Sequence, residues 1–79
     1  EYQVYFADDP QLYVYTRSLA NEVILVINNF YATSCNFTVP EALQTYCEVE
    51  YLLNNYPEQP DNWQQFTLRP YQSVVLLLQ

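Results

Sequence analysis

Glu22-Val23-Ile24-Leu25-Val26-Ile27-Asn28 and Ser73-Val74-Val75-Leu76-Leu77-Leu78 are the two stretches that decide the fold. Each holds five consecutive apolar residues, at 23–27 and 74–78, rich in the branched side chains that suit a pleated surface. A membrane-spanning helix needs about 20 apolar residues, so runs of this length read as short buried strands instead. Alternation along a strand sends successive side chains to opposite faces. The larger sets, Val23/Leu25/Ile27 and Val74/Leu76/Leu78, are assigned to the interior. That choice turns Ile24, Val26, Val75 and Leu77 the other way. A sheet wetted on one face alternates apolar with polar residues, and these runs do not.

Similar β-forming patterns flank both runs. Strands are expected at 2–6, 12–17, 22–28, 34–39, 47–54, 65–68 and 73–78. Asp8-Asp9-Pro10-Gln11 has the composition of a turn. Residues 18–21 close a hairpin in which Asn21 is the candidate for a left-handed backbone, since the chain has no Gly. Pro40-Glu41-Ala42-Leu43 suits a single helical turn, and residues 56–62, with two prolines, form the longest loop. Cys35, Phe37 and Val39 share one face, as do Cys47, Val49, Tyr51 and Leu53. The expected fold is all-β: an antiparallel β-sandwich with Greek-key links and about seven to eight strands. One domain, residues 1–79, accounts for the whole length.

Composition removes several functions. The net charge is −7, with Arg17 and Arg69 as the cationic side chains. Nucleic-acid partners need clustered Lys and Arg, and anionic membrane surfaces attract them, so neither partner is expected. Hydrophobic residues at 51% exclude a disordered tail. Two cysteines, Cys35 and Cys47, are fewer than a disulfide scaffold of this length carries, and both are expected free. Asn36-Phe37-Thr38 fits a glycosylation acceptor, a pattern with meaning only in a secretory compartment. The sequence has no Met and opens without a charged, then apolar, leader pattern, so an excised piece of a longer chain is expected.

Catalytic chemistry has little to build on. Without His there is no His base, no Ser-His or Cys-His pair and no His metal ligand. Without Gly there is no phosphate-cradling loop. No catalytic residue, cofactor or metal is assigned. Glu48 and Glu50 lie two apart on one strand face, and glycoside hydrolysis uses paired carboxylates. Alternating Glu is more often the wet face of a strand, where charge also deters edge pairing. Asp8-Asp9 and Glu58/Asp61 offer oxygen ligands for a hard cation, against the commoner role of Asp in turns. Trp63, in the polar run Asp61-Asn62-Trp63-Gln64-Gln65, is the best candidate for stacking on a sugar; the competing role is packing against the core or a neighbouring domain.

Several segments, in order, resemble one family. Leu12-Tyr13-Val14-Tyr15-Thr16-Arg17 resembles the aromatic strand ending in Arg near the start of the C-terminal domain of oligo-1,6-glucosidases. The run from Val23 through Asn28-Asn29-Phe30 is similar to an apolar strand closed by Asn-Phe. Phe37-Thr38-Val39-Pro40, Leu52-Leu53-Asn54-Asn55-Tyr56-Pro57 and Leu68-Arg69-Pro70-Tyr71 resemble that domain's later motifs. Gln72 departs from the acidic residue common there, and the hairpin at Asn21 lacks the frequent Gly. Trehalose-6-phosphate hydrolases and dextran glucosidases share this domain type. The resemblance implies an accessory sandwich packed against a catalytic β/α-barrel that carries the catalytic carboxylates, in an α-glucosidase of the α-amylase superfamily. It also implies a bacterial, cytoplasmic enzyme.

Three functions then compete: an accessory domain supporting folding and stability of a glycoside hydrolase, a carbohydrate-binding module, and an immunoglobulin-like interaction domain. A binding module presents exposed rings around a cleft. An accessory domain presents a broad apolar face without a pocket. The outward set Ile24, Val26, Val75 and Leu77 favours the latter as a domain interface, with the barrel as its cover and self-association as the substitute when the barrel is missing.

Overall fold

The computed structural model describes residues 2–46, 48–60 and 62–79, the Leu19 side chain left aside. In chain order the strands are β1 (Tyr2–Tyr5), β2 (Leu12–Leu19), β3 (Glu22–Asn29), β4 (Cys35–Thr38), β5 (Val49–Asn54), β6 (Gln65–Leu68) and β7 (Ser73–Leu78). A single 3-10 turn, Glu41–Leu43, follows β4 at the position expected for a helical turn. Five strands form one sheet in the order β1-β2-β3-β7-β5, and β4 pairs with β6 in a second. Every pairing is antiparallel. After the β1–β3 meander the chain leaves the large sheet for β4, returns as β5, leaves for β6 and returns as β7. This over-and-back path is the all-β antiparallel sandwich the strand pattern called for.

The two apolar runs pair with each other at the centre of the large sheet. Val23 opposes Leu78, Leu25 opposes Leu76 and Ile27 opposes Val74. All six face inward, with Leu25, Ile27, Val74, Leu76 and Leu78 at 0% exposure. Phe37, Val39 and Leu68 from the small sheet, and Leu43 from the 3-10 turn, close the same core. Phe37 is the hub of its aromatic part, with ring centroids 5.6 Å from Phe66 and 5.7 Å from Phe6. The short axis of the molecule is 19 Å, room for two sheets packed roughly 10 Å apart and no third layer.

Three local expectations are corrected. Leu53 does not share the inner face with Tyr51: Tyr51 opposes Leu76, Leu53 opposes Val75, and a β-bulge at Leu52 lies between them. The extra residue inverts the alternation, so Leu53 points outward while Asn54, opposite Val74, turns inward. Val49 and Tyr51 do pack against the core, and Cys47 lies outside the described residues. In the β2–β3 hairpin the left-handed residue is Ala20, at φ 56°, rather than Asn21. Leu19 pairs with Glu22, so Ala20 is the first central residue of a two-residue turn, where the strand twist demands positive φ. The first turn begins earlier than its Pro suggests. Asp9 N–H donates to the Phe6 carbonyl at 3.0 Å, and the Asp9 carboxylate then accepts from Gln11 N–H at 2.9 Å.

Candidate functional site

The second sheet covers only one face of the first. On the uncovered face the register aligns side chains in rows across the strands. One row is Val4–Tyr15–Val26–Val75–Leu53, and the next is Tyr2–Arg17–Ile24–Leu77–Glu50. Ile24, Val26, Val75 and Leu77 all lie here, half-buried, on the side of the large sheet away from the β4–β6 sheet. Tyr2, Val4 and Tyr13 on one flank and Leu52 and Leu53 on the other are exposed. The rings on the β1–β2 flank brace one another: Tyr15 lies 5.3 Å from Tyr2 and 5.1 Å from Tyr13, and the Tyr2 and Tyr13 hydroxyls hydrogen bond at 2.6 Å. That hydrogen bond, more than burial, raises the Tyr2 phenol above the usual tyrosine pKa. The centre of the face is apolar, and the charges of the second row are Arg17 on β2 and Glu50 on β5.

One end of the sandwich is built differently. Asn29 is buried, its amide donating to the Thr33 carbonyl at 2.9 Å and the Arg69 carbonyl at 3.0 Å, while its oxygen accepts from Tyr31 N–H at 3.1 Å. Gln72 is buried beside it, accepting from Arg69 N–H at 2.8 Å and donating to the Asn54 side-chain oxygen at 3.0 Å. That Asn54 oxygen faces inward because of the Leu52 bulge. Among the described residues no buried side-chain polar atom lacks a partner, so this network is closed. It holds the turn Arg69-Pro70-Tyr71-Gln72, closed by Gln72 N–H donating to the Arg69 carbonyl at 3.0 Å. Tyr71 takes φ 54°, the left-handed value that the third position of such a Pro-led turn requires and that costs a non-Gly residue about 1–2 kcal/mol.

The other sequence candidates are scattered. Trp63 is half-buried against the core, with Tyr46 and Phe66 also packed there. Glu48 and Glu50 are exposed on the edge strand side of the large sheet, Glu50 opposite Leu77. Neither lines the open cleft of about 350 Å³ that runs past Glu58, Pro60, Phe66 and Arg69. Across that cleft's rim Arg69 pairs with Glu58 at 2.9 Å and lies over the Tyr56 ring at 5.4 Å. Asp8 and Asp9 sit in an exposed turn, and Asp61 lies outside the described residues. No cluster of three or more metal-ligating side chains occurs among the described residues. Cys35 is a free, half-buried thiol whose pKa is raised by burial first and by the Asp9 charge second. Missing from the sequence reading were Tyr2, Val4, Tyr13, Tyr15 and Leu53 on the outer face, because their membership depends on register between strands. The non-alternating centre was its only sequence signal.

Known proteins place this architecture. The chain is 44% identical over 78 residues to a trehalose-6-phosphate hydrolase of Bacillus subtilis, covering 98% of this chain and 14% of that protein. An oligo-1,6-glucosidase of Bacillus cereus is 38% identical over 77 residues, again 98% of this chain and 14% of the relative. Among solved structures, the trehalose-6-phosphate hydrolase of Bacillus licheniformis superposes with a TM-score of 0.89 at 39% identity, over 99% of this chain and 14% of that one. The trehalulose synthase MutB of Pseudomonas mesoacidophila follows at 0.82 and 27% identity, over 100% and 14%. The chain thus spans 14% of the length of these relatives. The family model for the α-amylase SusG C-terminal domain matches residues 12–75, from the start of β2 into β7, and the chain belongs to that family.

Proposed function

We propose that this chain is the non-catalytic C-terminal accessory domain of a bacterial, cytoplasmic glycoside hydrolase acting on α-glucosidic bonds, and that its work is to dock on the catalytic β/α-barrel and stabilise it. The observation that carries the reading is the uncovered face of the five-stranded sheet. Fully burying an aliphatic side chain is worth about 1.5–3 kcal/mol, so covering Ile24, Val26, Val75 and Leu77 together rewards a partner well beyond a single contact. Family membership supports the choice of partner, since this chain covers 14% of its relatives and the rest of their length lies outside the matched region. The dispersed carboxylates favour the same reading, as does the closed amide network, in which no buried side-chain polar atom among the described residues lacks a partner.

The test uses the full-length enzyme. Ile24→Glu puts a charge in the middle of the face. The expected result is little change in kcat/KM on a nitrophenyl α-glucoside at 25 °C, with thermal inactivation faster by roughly tenfold, about 1.4 kcal/mol, and earlier proteolytic release of the domain. An inactivation rate equal to that of the unmodified enzyme overturns the docking reading. A loss of activity on replacing Glu48 or Glu50 with the amide, at unchanged stability, overturns the non-catalytic one.

A further inference from the structure

Among the described residues of this glycine-free chain three hold a left-handed backbone, and each delivers something different. Phe6, at φ 56°, sets its ring edge-on against Phe37 in the core. Ala20, at φ 56°, turns a hairpin and has almost no side chain to place. Tyr71, at φ 54°, sends its ring into solvent, 59% exposed, the most open of the large apolar side chains described. Its backbone, by contrast, is pinned on every side. Its N–H donates to the Tyr31 carbonyl at 3.1 Å, and its carbonyl accepts from the Asn55 amide at 2.9 Å. The preceding Pro70 carbonyl accepts from the Tyr56 hydroxyl at 2.7 Å, and Gln72 behind it is locked in the buried network.

A strained, immobilised backbone that presents an exposed aromatic ring has the properties of a binding anchor: large apolar area, a polar tip, and little entropy left to lose. Its position links it to the sheet face. Phe30 and Tyr31, both exposed, lie beside it on the loop after β3. The Phe30 ring stacks on Tyr13 of the outer face at 6.1 Å and 17°. Ring contact therefore runs from the uncovered sheet through Tyr13 to Phe30, and the backbone bond from Tyr71 N–H to the Tyr31 carbonyl sets Tyr71 beside the residue that follows Phe30.

Building on the docking reading above, we propose that the docking surface turns this corner, and that Tyr71 is its anchor, seated in an apolar-walled pocket of the catalytic part of the parent chain with a polar group at its base for the phenol. The large uncovered share of the relatives, of which this chain spans 14%, and the continuity of the corner with the sheet face name that occupant.

The experiment compares two glycine substitutions in the full-length enzyme. Ala20→Gly and Tyr71→Gly both relieve a left-handed residue, so a purely structural role makes both slow thermal inactivation. The proposal expects opposite signs: slower for Ala20→Gly, faster by roughly tenfold for Tyr71→Gly, with Tyr71→Phe within about threefold of the unmodified enzyme. Hydroxyl-radical footprinting, corrected for ring type, should show Tyr71 protected relative to Phe6, which is 41% exposed and rests edge-on against Phe37. If Tyr71→Gly slows inactivation and Tyr71 reacts like Phe6, the corner is not part of the interface. Should Ile24→Glu be harmful while Tyr71→Gly is not, only the corner fails; if both are harmless, the docking reading falls with it. Protection of Tyr71 that appears only on adding isomaltotriose makes the corner a sugar platform and overturns the proposal.

Discussion

The two faces of the five-stranded sheet are made from the same amino acids and have opposite fates. On β3 and β7, Leu25, Ile27, Val74, Leu76 and Leu78 point to one side and reach 0% exposure. Ile24, Val26, Val75 and Leu77 point to the other and are only half-buried. A sheet meant to face water on one side carries polar residues there. Here both sides have the composition of a core, and only one has its second half. The inner face is completed within the chain by Phe37, Val39, Leu43 and Leu68. On the docking reading proposed above the outer face takes its cover from elsewhere, and strand composition alone does not separate a buried face from a docking one.

The sharpest way to break this comparison is to truncate neighbours on one strand. Leu76→Ala empties a fully buried site and should cost about 2–5 kcal/mol of folding stability. Leu77→Ala, one residue along on the open face, should cost about 1 kcal/mol or less in the 79-residue chain, since its surroundings are already wet. Denaturant unfolding of both variants measures the gap. In the full-length enzyme the cost of Leu77→Ala should rise toward that of Leu76→Ala; equal costs in the short chain contradict the assignment of faces.

A smaller effect tests the polar end that closes the inner compartment. Gln72→Leu strips the partner from Arg69 N–H and removes one of the two donors to the Asn54 oxygen, which keeps Tyr56 N–H. Leaving buried groups unpaired costs about 1–3 kcal/mol, and the loss should appear as a lower midpoint at unchanged denaturant slope. A neutral result means water replaces the amide and the network is not closed.

The hairpin shared by both faces gives an effect of the opposite sign. Ala20→Gly removes the left-handed penalty at φ 56°, and after the entropy that Gly adds to the unfolded chain the net gain should be about 0.5–1 kcal/mol. Because the turn touches neither face, the gain should be the same in the short chain and in the parent. Asn21→Gly, one residue on, should instead be neutral or harmful.

Much of this was written in the strand pattern. The runs at 23–27 and 74–78 paired as their composition demanded, and their failure to alternate marked four residues of the outer face before any register was known. What stayed hidden has one physical cause, dependence on partners distant in sequence. The bulge at Leu52 exists because β5 must present Tyr51 to the core and then Asn54 to Gln72, a demand invisible within Glu50-Tyr51-Leu52-Leu53-Asn54. The left-handed residue fell on Ala20 because turn geometry, not side-chain preference, chose it. The amide network joins Asn29, Asn54 and Gln72 from three separate segments, so the sequence showed amides without their pairing. Tyr71 lies between the expected strands 65–68 and 73–78, where the sequence alone carries neither its exposure nor its φ.

The smallest expected effect concerns protons, and it again separates inner from outer. Cys35, on the inner layer, has its thiol pKa raised, chiefly by burial and then by Asp9. Tyr51, on the inner side of β5, is raised by burial, and Tyr2 on the outer face by its hydrogen bond to Tyr13. In each case the folded state holds the proton more tightly than the unfolded chain. The stability from this preference is complete below the unfolded pKa and is lost as pH rises through the folded one. With no His in the chain, the unfolding midpoint should vary little between about pH 6 and 8 and decline above about pH 9, where thiols and then phenols ionise. The same shift slows alkylation of Cys35, because the thiolate is the nucleophile. At about pH 8 Cys35 should react with iodoacetamide several-fold more slowly than a model thiol, and mass spectrometry of the labelled peptide reads the rate. Asp9→Asn removes the second cause and leaves the first, so it should speed the reaction only slightly; a rate that already matches the model thiol shows that the inner layer is open to water at β4.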